Sequence, residues 1–70
     1  MERITVASSN VRSIGYDACS LTLEVEFKSG SIYQYIGVPQ SEYESLMNAP
    51  SIGKYLNNYI KGHYRFVQVR

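Results

Sequence analysis

The stretch Leu21-Thr22-Leu23-Glu24-Val25-Glu26-Phe27-Lys28-Ser29-Gly30-Ser31-Ile32-Tyr33-Gln34-Tyr35-Ile36 decides the fold. Leu21, Leu23, Val25 and Phe27 alternate with Thr22, Glu24, Glu26 and Lys28, the period-two pattern of a strand with one apolar and one charged face. Lys28-Ser29-Gly30 breaks the pattern, and Ser31 to Val38 resumes it as a β-prone run rich in Ile and Tyr. Upstream, Val11 to Asp17 reads as another strand, closed by the turn Asp17-Ala18-Cys19-Ser20. Three consecutive strands with short turns predict an antiparallel meander.

The loop between the last two of these strands decides where Tyr33 and Tyr35 point. A two-residue Ser29-Gly30 loop pairs Phe27 with Ile32 and puts both tyrosines beside Glu24 and Glu26, free to stack on bases. A three-residue Lys28-Ser29-Gly30 loop puts them beside Leu23 and Val25, in the core. Gly at the third loop position suits the second geometry.

Downstream the period lengthens. Pro39 can open a helix at an early position, Tyr43, Leu46 and Met47 form an apolar stripe, and Ala49-Pro50 stops it. Ser51 is a good N-cap for a second helix, in which Ile52, Tyr55, Leu56, Tyr59 and Ile60 share one face. Gly62 supplies the stop, and Tyr64, Phe66, Val67 and Val69 suggest a short C-terminal strand or extended tail. The expected fold is α+β: a three-stranded antiparallel meander with two short helices on one face, in a single domain over residues 1–70.

Size and composition exclude several functions. Seventy residues with 44% hydrophobic content allow one modest core. One cysteine, Cys19, and one histidine, His63, cannot assemble a zinc site or an internal disulfide framework. The sequence offers no activated nucleophile and no metal set, and Cys19 has no basic partner nearby in sequence, so no catalytic residue, enzyme activity, cofactor or small-molecule substrate is expected. No apolar run approaches membrane-span length, and the N-terminus is too polar for a signal peptide. A soluble cytoplasmic protein is the expectation.

Charge is divided unevenly along the chain. Residues 1–50 carry net −3, whereas residues 51–70 hold Lys54, Lys61, Arg65 and Arg70 with no acid. Such a basic end is either a solvated face or a polyanion-binding surface. The helix start Ser51-Ile52-Gly53-Lys54 offers free N–H groups to an anion. Gly53 either lets a phosphate approach or lets a neighbouring element pack closely. Tyr59, the second tyrosine of the helix stripe, reads with Tyr55 as core. Lys61, His63, Tyr64, Arg65 and Phe66 interleave charge with aromatics, a composition that suits single-stranded nucleic acid.

Several segments carry a family resemblance: Ser8-Ser9-Asn10-Val11, Ile14-Gly15-Tyr16-Asp17, Leu23 to Phe27 with Gly30, Tyr33-Gln34-Tyr35, Val38-Pro39, Ala49-Pro50-Ser51 with Gly53-Lys54-Tyr55, and Asn57 to Ile60 with Tyr64. In this order and spacing they resemble the KTSC domain, a small module named for its occurrence at the C-terminus of some lysyl-tRNA synthetases and also found as a free-standing bacterial protein. RNA binding has been suggested for that family, so the resemblance implies a direction and no mechanism. Arg3 and Arg70 lie outside the matching segments.

Two functions compete. One is a nucleic-acid-binding module, RNA ahead of DNA, using Ser51, Gly53, Lys54, Lys61, His63, Tyr64 and Arg65, with Tyr33 and Tyr35 stacking or at the rim. The other is a protein-interaction or accessory module whose exposed sheet edge accepts another chain, and a homodimer through that edge would cover its unpaired backbone groups.

Overall fold

Alternation along residues 22–27 and 32–36 forms a β-hairpin at the centre of the computed structural model, which describes residues 1–70. Five antiparallel strands lie side by side in chain order: β1 (Ile4–Thr5), β2 (Val11–Asp17), β3 (Thr22–Phe27), β4 (Ile32–Ile36) and β5 (Arg65–Gln68). Between β4 and β5 the chain forms α1 (Gln40–Met47), then α2 (Ile52–Tyr55), which runs on into a π-helical turn at Leu56–Ile60. The α+β class and the central meander match the sequence reading. The sheet has five strands rather than three, because β5 completes it on one edge and the first residues add β1 on the other. β1 is too short to show alternation, and both its side chains are exposed.

The hairpin loop takes the three-residue form. Phe27 N–H donates to Ser31 O and Gly30 N–H to Phe27 O, each at 2.9 Å, and Gly30 adopts φ +100°. This sets Leu23 opposite Tyr35 and Val25 opposite Tyr33, so both tyrosines lie on the core face. A bulge between Val11 and Ser13 lets Val11 and Ile14 share that face despite their odd spacing. The core is Val11, Ile14, Leu23, Val25, Tyr35 and Val38 from the sheet side, closed by Leu46, Leu56 and Ile60 from the helices.

Helical signals hold with one adjustment. Ser51 caps the second helix, its Oγ accepting the Lys54 N–H at 3.3 Å. Lys61 N–H then bonds Leu56 O, five residues back, at 2.8 Å. This wide turn keeps Leu56 and Ile60 buried but rotates Tyr59 outward to 54% exposure, where a regular helix would have kept it on the apolar stripe.

The opposite face of the sheet is not simply open. Glu24 is buried there, receiving hydrogen bonds from Arg3 Nη1 and from Gln34 Nε2 (2.8 Å). Arg3 also reaches Ser13 Oγ (3.1 Å), whose hydroxyl donates to Glu26 (2.8 Å). Arg3 thereby pins β1 across the sheet, and Gly15 makes the crossing feasible: a Cβ there would sit 2.5 Å from the Glu2 carbonyl oxygen. Burial alone would raise the Glu24 pKa, but the Gln34 and Arg3 hydrogen bonds and the Arg3 charge outweigh it and hold the carboxyl below its ordinary value.

Two outcomes are expected. Gly15→Ala should destabilise the domain by about 1–3 kcal/mol in denaturant unfolding, because backbone must move to admit the methyl. The stability that Glu24 contributes is present above its unfolded pKa of about 4.3 and lost as pH falls through the lower folded value. Glu24→Gln should therefore flatten the acid limb of a stability-versus-pH curve, and an unchanged limb would show the carboxylate to be unimportant there.

Candidate nucleic-acid interface

At the end of the second helix the chain turns at Gly62, which adopts φ +82°, and heads back to the sheet as β5. That reversal sets Lys61 across from the β3–β4 hairpin, with its Nζ 4.9 Å above the Phe27 ring. Between them is a cleft of about 410 Å3, lined by Phe27, Ser29, Ser31, Tyr33, Tyr35, Lys61, Gly62 and Phe66. Its aromatic wall is continuous. Phe66 lies opposite Tyr35 across the β4–β5 ladder, and its ring centroid is 5.5 Å from that of Tyr33 and 6.2 Å from that of Tyr35. The Phe27 ring meets Tyr33 edge-on at 5.7 Å. Phe66 keeps 59% exposure, so the wall faces solvent with an aromatic surface and a cation at its rim.

A second, shallower recess adjoins it, lined by Gly62, His63, Tyr64, Arg65 and Phe66. The structure thus brings Lys61, Tyr33 and Tyr35 to one cleft and His63, Tyr64 and Arg65 to its neighbour. Ser51, Gly53 and Lys54 line neither. Ser51 Oγ is engaged as the helix cap, and the space beside Gly53 is filled by the Ser8–Asn10 loop, where a Cβ would lie 2.7 Å from Asn10 Oδ1. Lys54 is exposed. Of the alternatives for Gly53, close packing is the one the geometry displays.

Tyr64 has a structural partner. Glu42 accepts the hydroxyls of both Tyr55 and Tyr64, the latter at 3.1 Å, which ties the start of the C-terminal segment to α1. The hydrogen bond to Glu42 and then burial raise the Tyr55 pKa, while for Tyr64 burial comes first and the Glu42 hydrogen bond second. Phe27, Ser29 and Ser31 were not legible as site residues, because Phe27 reads as core and the serines as loop. The signal that could have found them is the Gly30 loop, which sets the face that this end of the hairpin presents.

The model of the KTSC domain family matches residues 7–64. An uncharacterized protein of Stutzerimonas stutzeri is 41% identical over 70 residues, covering 99% of both chains. A lysine–tRNA ligase of Nostoc punctiforme is 44% identical over 61 residues, which cover 87% of this chain and 11% of the ligase. The crystal structure of a KTSC domain protein from Yersinia pestis superposes with a TM-score of 0.96 at 36% identity, covering 99% of this chain and 97% of that one.

Glu42→Ala should cost about 1–3 kcal/mol by leaving two part-buried phenols without their acceptor. It should also speed amide hydrogen exchange selectively around residues 62–66; uniform exchange would mean that the carboxylate does not anchor this segment.

Proposed function

We propose, from the premise that this chain belongs to the KTSC domain family, that it is a small nucleic-acid-binding module acting on RNA in preference to DNA. The observation that carries this reading is the solvent-facing aromatic wall of Tyr33 and Phe66 with Lys61 at its rim. Aromatic faces stack on unpaired bases and lysines neutralise phosphates, a combination that serves single strands. Charge supports it too. The ion pairs of the chain engage Arg3 and Arg70, while Lys54, Lys61 and Arg65 make none and remain exposed. A ligase relative that handles tRNA is consistent with RNA as the partner.

A second reading rests on β5. All four of its residues are exposed at the edge of the sheet, and Val67 and Val69 sit near half exposure. Such an edge can accept a strand from another protein or from a second copy of this chain.

Fluorescence anisotropy with labelled single-stranded and duplex RNA and DNA, at about 50 and 200 mM salt, separates the two. The nucleic-acid reading expects saturable binding to single-stranded RNA that weakens steeply with salt. Lys61→Glu should lower affinity about tenfold and reduce the salt slope by about one, with folding intact because the side chain is exposed. Lys54→Glu tests the helix start in the same assay. Absence of binding at low salt, with a discrete oligomer in sedimentation, would favour the edge instead.

A further inference from the structure

One group in the cleft is poised for a ligand in a way that stacking alone does not explain. Tyr35 is only 2% exposed, yet its hydroxyl is not among the tyrosine hydroxyls that hydrogen-bond within the protein, which are those of Tyr16, Tyr55 and Tyr64. No fully buried side-chain polar atom in the molecule is left without a partner, so the trace of Tyr35 that remains accessible includes this oxygen, and Tyr35 is one of the residues that line the cleft. Like any tyrosine it is protonated and able to donate at neutral pH, and burial, then the neighbouring Tyr33, push its pKa further up. A donor held beside an aromatic wall suits an acceptor on the edge of a flat ring.

The other lining groups define which ring. Tyr33 and Phe66 supply aromatic rings, Ser29 and Ser31 line the hairpin side, and Lys61 supplies a positive charge. About 410 Å3 is the size of a site for one small ligand, and far less than a duplex would need. We propose that this cleft receives a single unpaired nucleotide, its base stacked against Phe66 and Tyr33, a base-edge acceptor bonded to the Tyr35 hydroxyl, and its phosphate met by Lys61. This assignment rests on the nucleic-acid reading and sharpens it: the unit recognised is one nucleotide, free or within a strand, and not an extended backbone.

The test is an NMR titration of the protein with adenosine, guanosine, cytidine and uridine 5′-monophosphates, followed by single-stranded RNA octamers, for wild type, Tyr35→Phe and Phe66→Ala. Tyr35→Phe keeps the buried ring and removes only the hydroxyl. It should leave the thermal midpoint nearly unchanged while weakening the preferred monophosphate about three- to tenfold. Phe66→Ala, at an exposed position, should weaken it about tenfold or more. Monophosphate-induced shifts centred on Tyr35, Phe66 and Lys61, together with these losses, would support the assignment for free nucleotides. The same shifts from octamers alone, with the same losses, would support it for nucleotides within a strand. Octamers that bind without moving those signals, or that bind Tyr35→Phe as tightly as wild type, would overturn the single-nucleotide cleft and leave polyanion binding standing. If neither monophosphates nor octamers bind, both readings fall together.

Discussion

Removing one residue from the Lys28-Ser29-Gly30 loop would turn every side chain of β4 to the opposite face of the sheet. The three-residue loop, with Gly30 in the left-handed region, is the constraint on which the rest of the structure depends. It sends Tyr35 inward to complete the core and Tyr33 to its margin, and it sends Gln34 outward to Glu24. It also fixes where Phe66 lands, because β5 pairs with β4 and inherits its facing. Core, polar face and cleft wall therefore share a single geometric origin.

Two carboxylates then fasten the ends of the chain to that sheet. Glu24 holds the N-terminal strand through Arg3, and Glu42 holds the approach to β5 through Tyr64. Glu26 takes up what is left of the arginine charge on the polar face, with Arg3 Nη2 at 3.8 Å and Arg70 Nη2 at 3.5 Å. Three of the six acids of the front half, Glu24, Glu26 and Glu42, are thus engaged in internal contacts with two arginines and two tyrosines. The positive charge of Lys54, Lys61 and Arg65 is consequently uncompensated by direct contact, which the net charge of +1 conceals.

Legibility in the sequence followed the range of the interactions. The alternation of residues 22–27, the glycine-third loop, the Ser51 cap and the Gly62 stop are local signals, and each appears in the structure where local physics places it, whereas Leu21, read as the first apolar residue of that strand, falls in the preceding turn at φ +55° and is exposed. β1 was hidden because its docking depends on Arg3 reaching Glu24, twenty-one residues away, and on the absence of a side chain at Gly15. Glu24 itself reads as a solvent-facing charge until β1 covers it. At the site, the basic aromatic tail was visible as composition, but its grouping was not: the helix start and the tail do not share a cleft, and Phe27 joins the site only through the reversal at Gly62. The outward turn of Tyr59 was likewise invisible, since a π turn leaves no simple trace in apolar periodicity.

That π turn has an implication for how this scaffold can diversify. Its fifth residue is extra relative to a regular helix, and it lies just before Lys61, so it sets the angular position from which the chain leaves toward Phe27. Shortening the turn by one residue would leave the Leu56 layer of the core in place and swing the following segment around the helix axis, carrying the cation away from the cleft. Relatives that share the core could therefore differ in the shape and charge of this cleft through a change of length at this turn, with every lining residue retained.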